Sequence, residues 1–468
     1  MDQVYTINFQ QPLSVHFIGI GGISMSGLAM ILLEQGFRVT GSDQTASEIT
    51  EELVSRGIPV AIGQKAENIP ADTDLVVYTA AIHPDNPEYA EAVRRGIPML
   101  PRADLLGQIM KNYQTAIAVS GTHGKTTTTG MLTHILMAAE LDPTVSIGGI
   151  LPSIDGNLRI GRSPVFLTEA CEYTNSFLSF FPTIGVILNV EADHLDFFKD
   201  LDDIAHSFHR FAALLPPEGT LVIGKNTNCF DMITDGISCR IITTGTDPSA
   251  DITAADLIYD DKGNASFRCI AFGEDLGSVS LLVPGAHNLE NALAAIGAGL
   301  AAGVEPCDVF RGLSSFTGTA RRIEYKGNLG SVTLIDDYAH HPSEIRATLA
   351  AASKLPHSRI VVAFQSHTYT RTNALLTDFA DALTAADVVV LPDIYAAREK
   401  NTIGISSDDL RAAIEERGTR AYYRPTFEET EAFLREELQP GDLLITMGAG
   451  TVYQVGDSLM QSGFSVDN

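Results

Sequence analysis

The sequence predicts an α/β protein of three successive domains, each a sheet covered by helices. Three observations carry that reading. The chain has 468 residues, more than one ordinary hydrophobic core holds. Short apolar runs alternate with helical patterns along its length. The string Arg-Gly-Ile-Pro occurs at 56–59 and again at 95–98, each time where a helix ends on glycine and hands over to a strand. That rhythm belongs to parallel, helix-covered sheets. The domains are expected at residues 1–113, 114–325 and 326–468.

In the first domain, residues 15–20 read as a buried strand, followed by a glycine turn and a helix through roughly 35. Gly36 closes that helix, and 38–43 form the next strand. The uncharged stretch 17–33 contains four glycines and two serines, and it reads as strand, turn and helix rather than as a membrane span. The second domain opens with a strand at 116–119, a glycine-rich loop and a helix from about Lys125. Its further strands are expected at 165–168, 184–190, 221–223 and 279–283, and 247–277 reads as an insertion or a sheet edge. In the third domain, strands are expected at 332–335, 360–364, 388–391 and 443–446.

Hydrophobic residues at 45% and charged residues at 19% describe a folded globular protein. A net charge of −27 repels nucleic-acid backbones and anionic membranes, so neither is an expected partner. Against that field Lys125, Arg102, Arg321, Arg322 and Arg371 are informative cations. The five cysteines show no CxxC spacing, which points to reduced thiols. The start lacks a basic segment, Arg38 being the first Lys or Arg, so no secretory signal is expected and the location is read as cytoplasmic.

Gly121-Thr122-His123-Gly124-Lys125-Thr126-Thr127 lies between an apolar strand and a helix, the context in which backbone N–H groups cradle phosphates. Gly124-Lys125-Thr126 matches the end of the common phosphate-loop pattern, but Val119 stands where its first glycine belongs, and Gly121 serves in a shorter variant. Lys125 is placed to neutralise β/γ oxygens and Thr126 to ligate Mg²⁺. The strand at 165–168 runs into Glu169, where such folds put an acid beside the metal. The strand at 184–190 runs into Glu191-Ala192-Asp193-His194, either a second metal position or helix-capping acids with a surface histidine. Gly19-Ile20-Gly21-Gly22 is a weak dinucleotide fingerprint, because Ser24 replaces the third glycine. The residues leave a nucleotide site and a plain tight turn both open.

The phosphate loop, Glu191-Ala192-Asp193-His194, Asp336-Asp337-Tyr338-Ala339-His340-His341-Pro342, Pro284-Gly285-Ala286-His287-Asn288-Leu289-Glu290-Asn291, Thr319-Ala320-Arg321-Arg322 and His367-Thr368-Tyr369-Thr370-Arg371-Thr372 together resemble the Mur ligases of peptidoglycan synthesis. The resemblance spans essentially the whole chain. It implies Rossmann-like first and third domains around a P-loop ATPase-like centre, and an ATP-dependent amide-bond ligase working through an acyl phosphate. It further implies UDP-N-acetylmuramate and L-alanine as substrates, ATP and Mg²⁺ as cofactors, and a monomer or weak homodimer. Carried over residue by residue, Lys125, Glu169, His194 and Arg322 are catalytic, and Thr126, Glu169 and His194 hold metal. Gly121, Thr122, His123, Gly124, Lys125, Thr126, Thr127, Asn288, Asn291 and Asp336 contact ATP. Gly19, Gly21, Gly22, Asp43 and Arg102 serve the sugar nucleotide, and His340, His341 and Arg371 the amino acid. His-His-Pro also fits a simple strand-to-helix cap. Cys171, Thr368 and Gln64 depart from residues common in relatives. The run His206-Ser207-Phe208-His209-Arg210 lacks the lysine that several sister ligases carbamylate. A ligase adding a whole tripeptide to the same sugar nucleotide is the nearest alternative, and an ATP-gated binding protein is one of a different class.

Overall fold

The strand Ser14–Ile18 is buried at every position, as an unbroken apolar run must be when helices cover both faces of its sheet. The structure is a computed structural model and describes residues 6–79, 81–195, 197–397 and 399–467. We number the strands of the first sheet β1 (Ser14–Ile18), β2 (Arg38–Asp43), β3 (Val60–Ile62), β4 (Leu75–Tyr78) and β5 (Met99–Pro101). All pair in parallel, in the order 3-2-1-4-5. The order reverses beside β1, so a crevice opens at its carboxyl end, where the glycine turn lies. Both Arg-Gly-Ile-Pro strings behave as expected: Gly57 and Gly96 have φ of +91° and +66°, and β3 and β5 follow. Residues 17–33 resolve into β1, a turn and the helix Ile23–Glu34. No helix among the described residues is long and apolar enough to cross a membrane.

The middle sheet has ten strands. Thr115–Ser120 sits at its centre, in parallel register with Val165–Glu169 on one side and Ile184–Ile187 on the other. Residues 247–277 contribute to an antiparallel meander, Ile252–Tyr259, Asn264–Ala271 and Glu274–Pro284, which forms one edge. The strand expected at 184–190 stops at Ile187. Leu188 N–H still donates to Ser120 O, but beyond it Asn189 O accepts from Thr122 N–H of the phosphate loop and Val190 O from Asn228 Nδ2, which ends the ladder.

The third sheet has six strands, parallel except for Glu324–Leu329 at its edge. That strand crosses the expected joint at 325, and with Arg420–Tyr423 it was not legible from hydropathy, since both sit at sheet edges and carry polar residues. One apolar cluster runs from β1 through Phe166 to Phe208, joining the first two sheets. The contact is close, for a Cβ on Gly107 would lie 1.9 Å from Ser179 O. The third sheet instead packs around its own clusters, which include Phe364 and Val361.

Candidate active site

The loop after Thr115–Ser120 turns on two glycines in the left-handed region, Gly121 at φ +139° and Gly124 at φ +87°, before the helix Lys125–Ala138 begins. A Cβ on Gly124 would stand 2.4 Å from Asn291 Oδ1, so glycine is required there on two counts. Asn189 braces the loop from below: its Oδ1 accepts from His123 N–H at 2.8 Å and its Nδ2 donates to His123 O at 3.1 Å. The helix then presents its first, unpaired N–H groups to the cleft.

Lys125 Nζ donates to the carbonyls of Gly121 and Thr122 and pairs with Glu172 at 3.0 Å. Burial pulls the ammonium's pKa down, but Glu172 outweighs it and holds the value at about 12. His194, at φ +53°, reaches the same carboxylate, Nε2 lying 3.7 Å from Glu172 Oε1. Burial lowers the pKa of His194 despite the neighbouring carboxylates of Asp193 and Glu172, favouring the neutral, metal-binding form. Glu169 accepts from Gly148 N–H at 2.6 Å. The adjacent Gly149 faces Thr126, whose Cγ2 would be 3.0 Å from a Cβ there. Thr126 and Glu169 therefore meet at one glycine pair, and His194 stands with Glu172 and Lys125. Glu172 was missed by sequence reasoning, its signal being only an acid three residues beyond Glu169.

A cleft of about 400 Å³ opens beside the loop, lined among others by Thr127, Asn288, Asn291, Arg322, Asp337 and Glu344. Asn291 Nδ2 donates to Asn288 Oδ1 at 3.1 Å, and Asn288 Nδ2 to Pro284 O at 2.7 Å, so their amides are oriented. Asp336 is not on this wall. Neighbours on a strand point to opposite faces, and Asp336 is taken by Arg321 at 2.8 Å and by the Thr446 hydroxyl at 2.6 Å, leaving Asp337 toward the cleft. The ribose contact was expected of Asp336.

The third domain closes the site through Arg371, which pairs with Asp193 at 3.1 Å and lies 3.5 Å from His367 Nδ1. His340 rests against His367, ring centroids 5.9 Å apart. Asp193, though buried, is held far below the usual carboxylate range by Arg371, His194 and His341. His341 acts on Asp193, the partner of Arg371, as well. It is the N-cap of the helix Pro342–Ala352, accepting from Ser343 N–H, and its ring lies 5.0 Å from that of His123. The cap reading of His-His-Pro thus holds for His341. Glu344, one turn into that helix, gathers His123 Nδ1 at 3.0 Å, the His340 N–H at 3.0 Å and Arg322 at 3.8 Å. Its i+4 spacing from His340 was the overlooked signal.

At the carboxyl end of β1, Gly19 has φ +83° and Gly21 N–H donates to Asp43 Oδ2 at 2.8 Å. Gly22 is the N-cap of the following helix, and Arg102 Nη1 donates to Ser24 Oγ at 3.0 Å. Gly19, Gly21, Gly22, Asp43 and Arg102 are thus gathered at the crevice beside β1, around the start of one helix.

A phosphate loop between two further α/β domains, with acids and histidines converging on it, defines a class: the chain belongs to the Mur ligase family. It matches that family's catalytic domain over residues 14–114, its middle domain over 119–299 and its glutamate ligase domain over 321–450. Similar proteins include the UDP-N-acetylmuramate–L-alanine ligase of Agathobacter rectalis, 56% identical over 98% of this chain and all of that one. The protein of the same name from Lachnospira eligens is 54% identical with the same coverage. A UDP-N-acetylmuramate–alanine ligase structure from Thermotoga maritima superposes with a TM-score of 0.78 at 29% identity, covering 96% of this chain and 99% of that one. A murein peptide ligase from Psychrobacter arcticus shares the fold at a TM-score of 0.70 and 24% identity, covering 97% of this chain and all of that one.

Proposed function

We infer that this chain is an ATP-dependent ligase that forms the amide bond between L-alanine and the lactyl carboxylate of UDP-N-acetylmuramate in peptidoglycan precursor synthesis. The observation that carries this reading is the position of Asp193. It stands next to His194 in the phosphate-side array and pairs with Arg371 in the third domain, so the two halves of a two-substrate reaction meet at one carboxylate. The names of the relatives at 56% and 54% identity support the same substrates.

The chemistry follows from the residues. A carboxylate is a poor electrophile, so its oxygen first attacks the γ-phosphorus of ATP, and ADP leaves. The amine of alanine then adds to the acyl carbon of the resulting acyl phosphate and loses its proton. Inorganic phosphate departs from the tetrahedral intermediate. We assign Lys125 and Arg322 to the charge on the transferring phosphoryl group, where preorganised cations act without reorganising solvent. Gly121–Gly124 backbone, Thr127, Asn288 and Asn291 cradle the nucleotide, with Asp337 in the place expected for Asp336. Gly19, Gly21, Gly22, Asp43 and Arg102 hold the sugar nucleotide, and His340 and Arg371 face the amino acid. Residues 1–113, 114–325 and 326–468 are the corresponding functional units.

Mg²⁺ fits the donors present. The Thr126 hydroxyl and a Glu169 carboxylate anchored by the Gly148 N–H form a hard oxygen set, and His194 supplies a neutral imidazole nearby. Bound there, the ion would neutralise phosphate charge. A cytoplasmic setting accords with ATP as substrate and with five free cysteines. A monomer or weak homodimer remains our reading of its assembly.

The test is phosphate release with ATP and UDP-N-acetylmuramate, comparing alanine, glycine, serine and a tripeptide as acceptors. Release that requires both sugar nucleotide and alanine is expected. Faster turnover with the tripeptide would replace the acceptor, and release indifferent to both substrates would mark an ATP-gated binding protein.

A further inference from the structure

One group of side chains at the junction of the middle and third domains has no place in that chemistry. His123 of the phosphate loop, Glu191 and His341 bring one ligand atom each within 4.8 Å of the others. His341 is 6% exposed, yet its Nε2 has no hydrogen-bond partner. A buried polar atom left unpaired is costly and calls for a reason.

The other edge of each ring is anchored. Glu344 Oε1 lies 3.0 Å from His123 Nδ1, and Ser343 Oγ lies 2.8 Å from His341 Nδ1. Glu344 thus turns His123 Nε2 to the shared space, the arrangement that orients imidazoles on metal ions, while Ser343 Oγ stands between His341 Nδ1 and His123 Nε2. Glu191 adds an anionic oxygen 3.5 Å from His123 Nε2. Ser343 Oγ, 2.9 Å from His123 Nε2, is a neutral oxygen at the same point.

We propose that His123 Nε2, the Glu191 carboxylate and a ring nitrogen of His341 form a site for a divalent transition ion such as Zn²⁺ or Co²⁺, separate from the Mg²⁺ residues Thr126, Glu169 and His194. Two imidazoles and one carboxylate suit such ions, whereas Mg²⁺ prefers an all-oxygen shell. Binding forms two N–metal bonds and one O–metal bond; a proton on a ligating nitrogen leaves for solvent or for the ring's other nitrogen, so that each ring ligates as a neutral imidazole with its one proton on the nitrogen away from the ion. Because His123 and Glu191 line the nucleotide cleft while His341 belongs to the third domain, the ion clips the two domains together across the phosphate loop. Nucleotide and ion therefore compete.

The experiment uses the full chain, free of Mg²⁺ and nucleotide, titrated with Co²⁺ and read by visible absorption and calorimetry. We expect one ion per chain, visible bands from histidine-ligated Co²⁺, and displacement by a non-hydrolysable ATP analogue. Glu191→Gln and His341→Gln should each weaken binding roughly tenfold or more, and Glu344→Gln comparably through the His123 ring. Glu169→Gln should leave it unchanged. Affinity unaltered in Glu191→Gln, or lost in Glu169→Gln, would overturn the proposal. His341→Gln also removes a helix cap, so Glu191→Gln, verified as folded by circular dichroism, is the deciding variant. None of these readouts depends on the ligase activity.

Discussion

Lys125 and Glu172 form an ion pair of 3.0 Å in which the ammonium is 16% and the carboxylate 3% exposed. The second oxygen of that carboxylate faces His194. One buried acid thus keeps the lysine charged and positions the histidine beside it. Removing either partner of such a pair leaves an uncompensated charge.

We predict that Lys125→Ala lowers turnover by roughly two to three orders of magnitude, the loss typical of one preorganised charge stabiliser. Glu172→Gln should cost less, because lysine and histidine remain but lose their common anchor. Steady-state phosphate release measures both, and near-normal turnover of Lys125→Ala would remove the loop from the mechanism.

Gly124→Ala should abolish nucleotide binding while the protein stays folded. The added Cβ stands 2.4 Å from Asn291 Oδ1 at a φ of +87°, a contact that forces the loop or the asparagine to move. The double variant with Asn291→Ala relieves the clash but keeps the backbone strain, of order 1 kcal/mol. Calorimetry with ADP should therefore show partial recovery at most, and full recovery would deny any role to the backbone.

Arg371→Ala should raise the KM for alanine roughly 10- to 100-fold, equivalent to about 1.5–3 kcal/mol for a charge-assisted contact. Arg371→Lys should fall between, retaining the charge but not the fork. The KM for ATP is the control. Equal effects on both substrates would mean that the Asp193 pair serves only to dock the third domain.

Two half-buried histidines set an acid limit. His340 and His367 each have a pKa lowered from 6.5 to about 4, first by burial, with the nearby Arg371 cation adding to it. In the unfolded chain they take up protons below about pH 6.5, which the folded state refuses until about pH 4. Stability present above pH 6.5 is therefore lost as the pH falls through that window. Melting temperatures measured from neutral pH to about pH 4.5 should fall less steeply in His367→Gln than in the unaltered protein, and parallel slopes would exclude His367 from the effect.

The central strands were legible because a strand buried on both faces must be an apolar run, as 360–364 and 388–391 are. The edge strands Glu324–Leu329 and Arg420–Tyr423 carry no such requirement. Residues 188–190 look like strand for a related reason: they are apolar or neutral, but Asn189 bonds to the phosphate loop and Val190 O accepts from Asn228 Nδ2. Asp336 and Asp337 are chemically identical in sequence, and only the pleat and the position of Arg321 decide which one reaches the cleft.

What the sequence determined by itself was the local chemistry: a glycine loop that turns where L side chains cannot, a lysine at a helix start, and acids after apolar strands. Spacing along the chain is enough for these, because each is set within one strand–turn–helix unit. Tertiary structure decided the partners. Glu172 meets Lys125 across 47 residues and Arg371 meets Asp193 across 178, while consecutive histidines part company, His340 toward Arg371 and His341 toward His123. Pairings of that reach depend on how three sheets dock, and docking follows from packed surfaces that no short stretch of sequence contains.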